Sequence, residues 1–370
     1  MNSWRWWALV FGVACACVGL ITLGQVIVPR AATPADLPST PLIVGLTQWD
    51  ASWYADIAKD GYWYVPGQQS PVAFFPLYPL VIRAVSALGL STWVAGIVVS
   101  FVCALAAIDV FRRWALLVRP ELAHTATLLL LLYPFAEYLY GVMYSDALFL
   151  LLAVSAFFAL EHNRPGWATL FGILATACRP VAPALVVGLV MRSLERRRAA
   201  GAPVRALDFV PALSAAGFLA YVTYLGLRFD DPLAFAHVQG APGWDQPAGW
   251  NTWLKVSWFH TLFPRSAPMV AIRLGGHALV TLLALVVAVR TFRVLGAGYG
   301  LYALLCVAIP AWSSKDFQGL GRYVIAAFPL FLTGSAVLAP HPGATRAWLA
   351  VSALLLATLA LALGMGGYVS

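Results

Sequence analysis

The chain has 370 residues, of which 61% are apolar and only 10% charged, with mean hydropathy +0.81 and a formal net charge of +8. A soluble protein of this length needs far more charge to cover its surface, which excludes a water-soluble globular enzyme. The apolar residues run in stretches of helical span length, which excludes a β-barrel and predicts an all-α polytopic membrane protein.

In chain order, spans are predicted at about 7–29, 91–111, 123–142, 145–160, 207–227, 268–289, 295–311, 321–339 and 347–366. The first run resembles a signal peptide ending near Pro29-Arg30-Ala31-Ala32. Its length and the interfacial Trp4, Trp6 and Trp7 favour a retained span. The stretch 166–191 is either one span or a hairpin turning at Arg179-Pro180. With a hairpin and a cytoplasmic N-terminus, thirteen bases and five acids fall inside, a net +8, while ten bases and ten acids balance outside. That split follows the positive-inside rule and selects the hairpin. The reading is one transmembrane domain over 1–370 with about eleven membrane-entering segments. Its extracytoplasmic regions are 30–90, 141–146, the Arg179 turn, 228–267 and 312–322. The charge thus encodes topology, and nucleic acid is not an expected partner.

The first outer region, 30–90, holds Trp49-Asp50-Ala51-Ser52-Trp53-Tyr54-Ala55-Asp56-Ile57-Ala58-Lys59-Asp60-Gly61-Tyr62 and, further on, Ala73-Phe74-Phe75-Pro76-Leu77-Tyr78-Pro79. Ionised carboxylates in lipid cost several kcal/mol each, so this segment must meet water or protein. Asp50 reads as a general base or as the N-cap of a helix over 51–60. Asp56 and Asp60, at i and i+4, point elsewhere on that helix and solvate its outer face beside Lys59. Asp146, in Tyr144-Ser145-Asp146, reads as a cap for a helix starting at Ala147 or as a contact to substrate or a metal. Glu137 falls inside a predicted span and must face protein or water.

Arg179 needs an anion at its turn, such as a lipid phosphate, Asp50 or Asp146. Lys315, Arg322 and Tyr323 lie in Ser313-Ser314-Lys315-Asp316-Phe317-Gln318-Gly319-Leu320-Gly321-Arg322-Tyr323, as a phosphate or sugar clamp or as snorkelling side chains. His237 and His260 share 228–267 with Trp244, Trp250, Trp253 and Trp258, tryptophans that read first as an interfacial belt and otherwise as a stacking surface for a sugar ring. The five cysteines lie in apolar segments without metal-ligand spacing. No nucleotide-binding glycine motif is present, so any sugar donor arrives through the membrane.

The ordered set W-D-A-S-W-Y-A-D-I-A-K-D-G-Y, A-F-F-P-L-Y-P, Y-S-D-A-L-F and A-T-A-C-R-P resembles the PIG-V family of mannosyltransferases, well over about 45–190 and again at Gly319–Tyr323. The resemblance implies a fold of the GT-C glycosyltransferase class and a polyprenyl-phosphate-mannose donor. It gives no acceptor, which is expected to be a lipid or a glycan; the charge split puts the candidate residues on the extracytoplasmic face, and the bacterial relatives make the membrane a bacterial plasma membrane. Carried over by motif, Asp50 matches the essential acid of the first loop, expected to act as the general base, Asp146 stands where members have Glu or Asp after Tyr-Ser, and Arg179 matches a motif arginine; Arg179, Arg322 and Lys315 are the candidates for the donor phosphate. Trp49, Tyr62, Phe75, Tyr78, Asp146 and Tyr323 are the candidate substrate contacts. Pro180 departs from the small polar residue of eukaryotic members and removes an N–H donor. With one convergent acid, neither metal nor cofactor is expected. The competing reading is a transporter or flippase of lipid-linked sugars, which predicts two pseudo-symmetric halves that the sequence does not display.

Overall fold

A computed structural model describes residues 3–31, 33–262 and 268–369. Residues 263–267 of the expected 228–267 loop, and Ala32 of the possible cleavage site, lie outside the described residues. Among the described residues the structure is helical, without strands. In chain order the helices are α1 (Ser3–Ile27), α2 (Pro41–Leu46), α3 (Ala51–Asp60), α4 (Leu77–Ser86), α5 (Thr92–Val118) and α6 (Ala123–Leu131). There follow α7 (Asp146–Glu161), α8 (Pro165–Thr176), α9 (Ala182–Ala199), α10 (Ala216–Phe229), α11 (Ala234–His237) and α12 (Trp250–Trp253). The last are α13 (Val256–Leu262), α14 (Pro268–Val294), α15 (Ala297–Ser313), α16 (Leu320–Tyr323), α17 (Pro329–Leu338) and α18 (Pro342–Gly364). Among the described residues, five stretches are long and apolar enough to cross a membrane: Trp4–Ile27, Thr92–Val118, Ala206–Phe229, Val270–Val294 and Pro342–Gly364. The chain is therefore a multi-pass membrane protein by length and composition.

Two of the expected spans are corrected. The 123–142 segment is helical only to Leu131 and continues as turns with one short 3-10 piece at Ala136–Tyr138. Pro134 explains the stop, because it disfavours helix at Tyr133 and cannot donate to the ladder. Glu137 accordingly lies in this irregular stretch, fully buried in protein. The 321–339 segment is interrupted as well: α16 ends at Tyr323 and α17 starts on Pro329, a residue suited to the first helical turn.

The chain divides into two compact units. The first comprises 1–60, 78–155 and 334–369. Here α1 packs on α2 and α18, and α5 on α6. The α1–α18 crossing depends on small residues: a Cβ on Gly364 would stand 2.0 Å from the Ile21 carbonyl oxygen. The amphipathic pattern of α3 positions the first-loop motif, since Ala51, Tyr54, Ala55, Ile57 and Ala58 are buried while Asp56, Lys59 and Asp60 are exposed.

The second unit comprises 61–77 and 156–333. In it α8 and α9 form a hairpin. A Cβ on Gly172 would lie 3.3 Å from a methyl of Leu189. In one straight helix those seventeen residues would separate them by about 25 Å. The far ends agree: Glu161 accepts from Arg192 at 2.7 Å and from Arg196, whose other nitrogen donates to Asn163 at 2.7 Å. The Tyr299 hydroxyl donates to the same Glu161 carboxylate at 2.8 Å. The end of α7, the end of α9 and the start of α15 are thus tied together by a carboxylate with only 7% of its side chain exposed.

Candidate active site

In the first unit, two sequence motifs separated by ninety-odd residues meet. Asp50 ends a turn after α2, and its carbonyl accepts the Tyr54 N–H at 3.5 Å, so it occupies the N-cap position of α3. Both readings of Asp50 therefore remain compatible with its position. Its own N–H donates to the Tyr144 hydroxyl at 3.0 Å. The Tyr54 and Ser145 hydroxyls share a hydrogen bond of 3.1 Å, and the Met143 N–H donates to the Leu46 carbonyl at 2.9 Å. These bonds hold the Trp49-Asp50 turn against Tyr144-Ser145-Asp146.

The turn is also strained. Trp49 has φ 57°, a left-handed conformation uncommon for a bulky residue. Its indole N–H donates to the Gly367 carbonyl at 3.3 Å, and its ring meets Tyr368 edge-on at 4.8 Å. These contacts accompany a backbone state that leaves Asp50 half-buried rather than enclosed.

Asp146 is 3% exposed and begins α7. One part of its expected role is corrected. The Phe149 N–H donates to the Ser145 carbonyl at 3.0 Å, so Ser145 occupies the cap and Asp146 is the first helical residue. A carboxylate there still gains from the positive end of the helix dipole. Tyr78 is fully buried: its hydroxyl donates to the Gly96 carbonyl at 3.1 Å and shares a 2.6 Å bond with Ser100. Ser100 in turn donates to the Tyr144 carbonyl at 3.2 Å. Tyr78 thus braces the Tyr144 segment from behind.

In the second unit, the basic residues come together around an aromatic ring. Arg179, 5% exposed, sits in the turn between α8 and α9; Arg322, 7% exposed, lies in α16. Their guanidinium carbons lie 4.8 Å and 5.5 Å from the centre of the Tyr323 ring. Two buried cations on one π-system form a concentrated, oriented positive patch. The turn is anchored by the other first-loop motif, since the Leu77 N–H donates to the Ala177 carbonyl at 3.0 Å. The α16 backbone is anchored by His277, whose Nδ1 accepts the Gly321 N–H at 3.3 Å.

The remaining candidates stand elsewhere. Phe75 is buried among Tyr221, Phe218 and Phe235, and Tyr62 donates its hydroxyl to the Phe74 carbonyl at 2.7 Å while packing on Tyr221 and Tyr224. Both shape the segment that carries Leu77. Lys315 faces Asp245 at 3.8 Å, and its N–H donates to Gln246 at 2.6 Å, so it ties two loops together. The tryptophans of 228–267 pack on residues of the same unit: Trp253 stacks on Trp312 and Trp258 meets Phe317. Among the described residues, no three His, Cys, Asp or Glu side chains gather where a metal ion could sit. Tyr144 was missed as a site residue. Its position beside Asp146 in one motif was the only signal, and nothing in the spacing reveals that its hydroxyl reaches Asp50.

Comparison with known proteins fits this geometry. The sequence model of a family described as mannosyltransferase (PIG-V) matches residues 31–197, a stretch that contains Asp50, Tyr144, Asp146 and Arg179. No curated protein sequence matches the chain.

Proposed function

We propose that the chain is a mannosyltransferase, on its similarity to the PIG-V family model over residues 31–197 and on the geometry above, and that it carries out a specific reaction. Mannose moves from a polyprenyl-phosphate donor to a hydroxyl of a lipid or glycan acceptor on the extracytoplasmic face of a bacterial plasma membrane, within a fold of the GT-C class. The acceptor oxygen attacks the anomeric carbon, the bond from that carbon to the phosphate oxygen breaks, and polyprenyl phosphate departs with the electron pair. The acceptor proton passes to the Asp50 carboxylate. A phosphate is already a good leaving group, so no general acid is required. A β-linked donor then gives an α-mannoside by inversion.

The observation that carries this reading is the junction of Trp49-Asp50 with Tyr144-Ser145-Asp146. Of the three acids in the first-loop motif, Asp50 alone stands at that junction, with its backbone oriented by the Tyr144 hydroxyl. Arg179 and Arg322 are assigned to the donor phosphate, because charge builds there as the bond breaks and buried guanidiniums stabilise it strongly. Asp146 and Tyr323 are assigned to substrate contacts. Trp49, Tyr62, Phe75 and Tyr78 act by holding the segments that carry them, and Lys315 is a reserve phosphate contact. The reaction is assigned no metal or other cofactor, and chelation should leave turnover unchanged.

The test is transfer from a short-chain polyprenyl-phosphate mannose to membrane lipids by purified full-length protein. Asn at position 50 keeps the capping ability but cannot take the proton. Asp50→Asn should lower turnover by about 10²–10⁴-fold, with donor binding and melting temperature retained. Turnover above roughly a tenth of wild type would make Asp50 a helix cap only. The side is tested separately. In a cysteine-free background, the exposed Pro180 replaced in Pro180→Cys should react with an impermeant reagent applied to intact cells. Labelling only after permeabilisation would reverse the assignment.

A further inference from the structure

The first unit carries a second polar feature far from Asp50. Trp4 and Trp7 are exposed at 65% and 41%, whereas Trp6 between them is turned inward and only 2% exposed. Trp6 forms one wall of a cavity of about 280 Å³, whose other walls include Arg112, Leu116, Pro120, His124 and Thr127. The Arg112 guanidinium lies 5.2 Å from the Trp6 ring centre. The Trp6 indole N–H is buried and has no hydrogen-bond partner among the described residues. A buried donor left unmade costs free energy, so such a group calls for an acceptor from outside the chain.

The charges around the cavity point the same way. Arg113 is engaged by Asp109 at 2.6 Å and Arg119 by Glu121 at 2.7 Å. No acid pairs with Arg112 among the described residues, and the exposed His124 adds a second basic group. The two acids nearby are therefore committed, and the cavity is lined by the side chains of Arg112, His124 and Trp6, the last with an unpartnered indole N–H. That donor set fits an anion with several acceptor oxygens.

Its place in the fold narrows the ligand. Ser100, whose hydroxyl braces Tyr144, is twelve residues up α5 from Arg112, about 18 Å. Gln25, which bonds Gln48 beside Trp49, is nineteen residues along α1 from Trp6, about 28 Å. The cavity and the Asp50 junction thus lie near opposite ends of the same helices, separated by about one hydrocarbon thickness of roughly 30 Å. Tryptophans and arginines at a helix end mark the headgroup level. The cavity is smaller than the roughly 300–1,000 Å³ of pockets that enclose drug-sized ligands. It accepts a headgroup, while the exposed Leu116 and Leu117 beside it offer an apolar track for the chains.

We propose that this cavity binds the phosphate of an anionic glycerophospholipid in the leaflet opposite the Asp50 junction, with Arg112 and the Trp6 indole N–H as its donors. Full-length protein in detergent, titrated with dioleoyl-phosphatidylglycerol or dioleoyl-phosphatidylcholine and read by native mass spectrometry, tests this directly. Wild type should retain phosphatidylglycerol in preference to phosphatidylcholine. Arg112→Gln should weaken that retention about tenfold, the size of a lost charge-assisted contact. Trp6→Phe keeps the ring under Arg112 and removes only the N–H, and should weaken retention about threefold. Arg113→Gln should leave it unchanged. If Arg112→Gln proves unstable, Trp6→Phe decides alone. Equal retention of both lipids, or wild-type retention by the two variants, overturns the assignment. Displacement of the lipid by millimolar inorganic phosphate makes this a free-phosphate site and equally overturns it. The readout involves no sugar transfer, so its failure leaves the proposed mannosyl transfer untouched.

Discussion

The acid of the first unit and the arginines of the second are held by opposite means. Asp50 sits half-buried at a turn whose backbone is clamped by other residues' hydroxyls and indoles, Tyr144 and Trp49 foremost. Arg179 and Arg322 are buried, and their guanidiniums both lie over one tyrosine ring. On the proposed roles, a base must meet a changing partner, the acceptor hydroxyl, and so benefits from an oriented but accessible carboxylate. A phosphate grip benefits from cations already stripped of water, because their field is then screened least. The difference gives each cluster its own expected response to mutation.

The largest effects expected beyond Asp50 itself are those of Arg179→Gln and Arg322→Gln. A lost charge-assisted contact to phosphate costs about 1.5–3 kcal/mol, or roughly ten- to a hundredfold in donor efficiency. Lysine should rescue only part, since it lacks the planar fork. Steady-state kinetics with varied donor checks this; unchanged donor KM and turnover in both Gln variants would make the arginines structural. Tyr323→Leu should cost less, about 0.5–2 kcal/mol of cation–π contact, while Tyr323→Phe keeps the ring and most of the activity. If Tyr323→Phe falls as far as Leu, the hydroxyl matters rather than the face. Tyr144→Phe probes the acid cluster through its positioning bond: a loss of about 0.5–1.5 kcal/mol should appear in turnover, with donor KM unchanged. A shift in donor KM alone would place Tyr144 at the donor instead.

The smallest effects separate the site from the exposed face of α3. Asp56→Asn and Asp60→Asn should stay within about twofold of wild type, as surface substitutions do. Asp36 titrates below its ordinary value of 3.8 because Lys59 donates to its carboxylate. A depressed carboxyl stabilises the fold above its unfolded pKa and loses that contribution as pH falls through the folded value. The pair is exposed, so Lys59→Ala should alter acid stability only marginally, by less than about 1 kcal/mol. A large acid-midpoint shift on melting at successive pH values would show that the pair is better shielded than its exposure indicates.

How much of this was legible in sequence depends on what kind of signal carried it. The α3 face and the placement of Asp56, Lys59 and Asp60 follow from helical periodicity, which is local. The Arg179 hairpin followed from the count of charges on either side, which is global but additive. The breaks at Pro134 and Pro329 were visible as residues and were overridden by hydropathy, which averages a proline away. The Tyr144–Asp50 bond spans 94 positions and the Arg179–Tyr323 contact 144, and no periodicity or composition encodes such a pairing.

The α8–α9 hairpin has a consequence for how the chain enters the bilayer. Helix α8 has twelve residues, about 18 Å, well short of the roughly 30 Å of hydrocarbon. The apolar half of α9 is shorter still before Arg192. Neither arm can be threaded through the membrane as a span in its own right, and the polar turn at Arg179 would be stranded in lipid if they were. During synthesis the two arms must therefore insert together. The Glu161–Arg192–Arg196 cluster keeps both feet of the loop on the surface where translation left them. Burial of the turn then waits for α10 and α15, which come later in the chain. Truncated nascent chains ending before α15 should accordingly hold this hairpin at the interface and release it to alkaline carbonate, whereas chains extended past α15 should resist extraction.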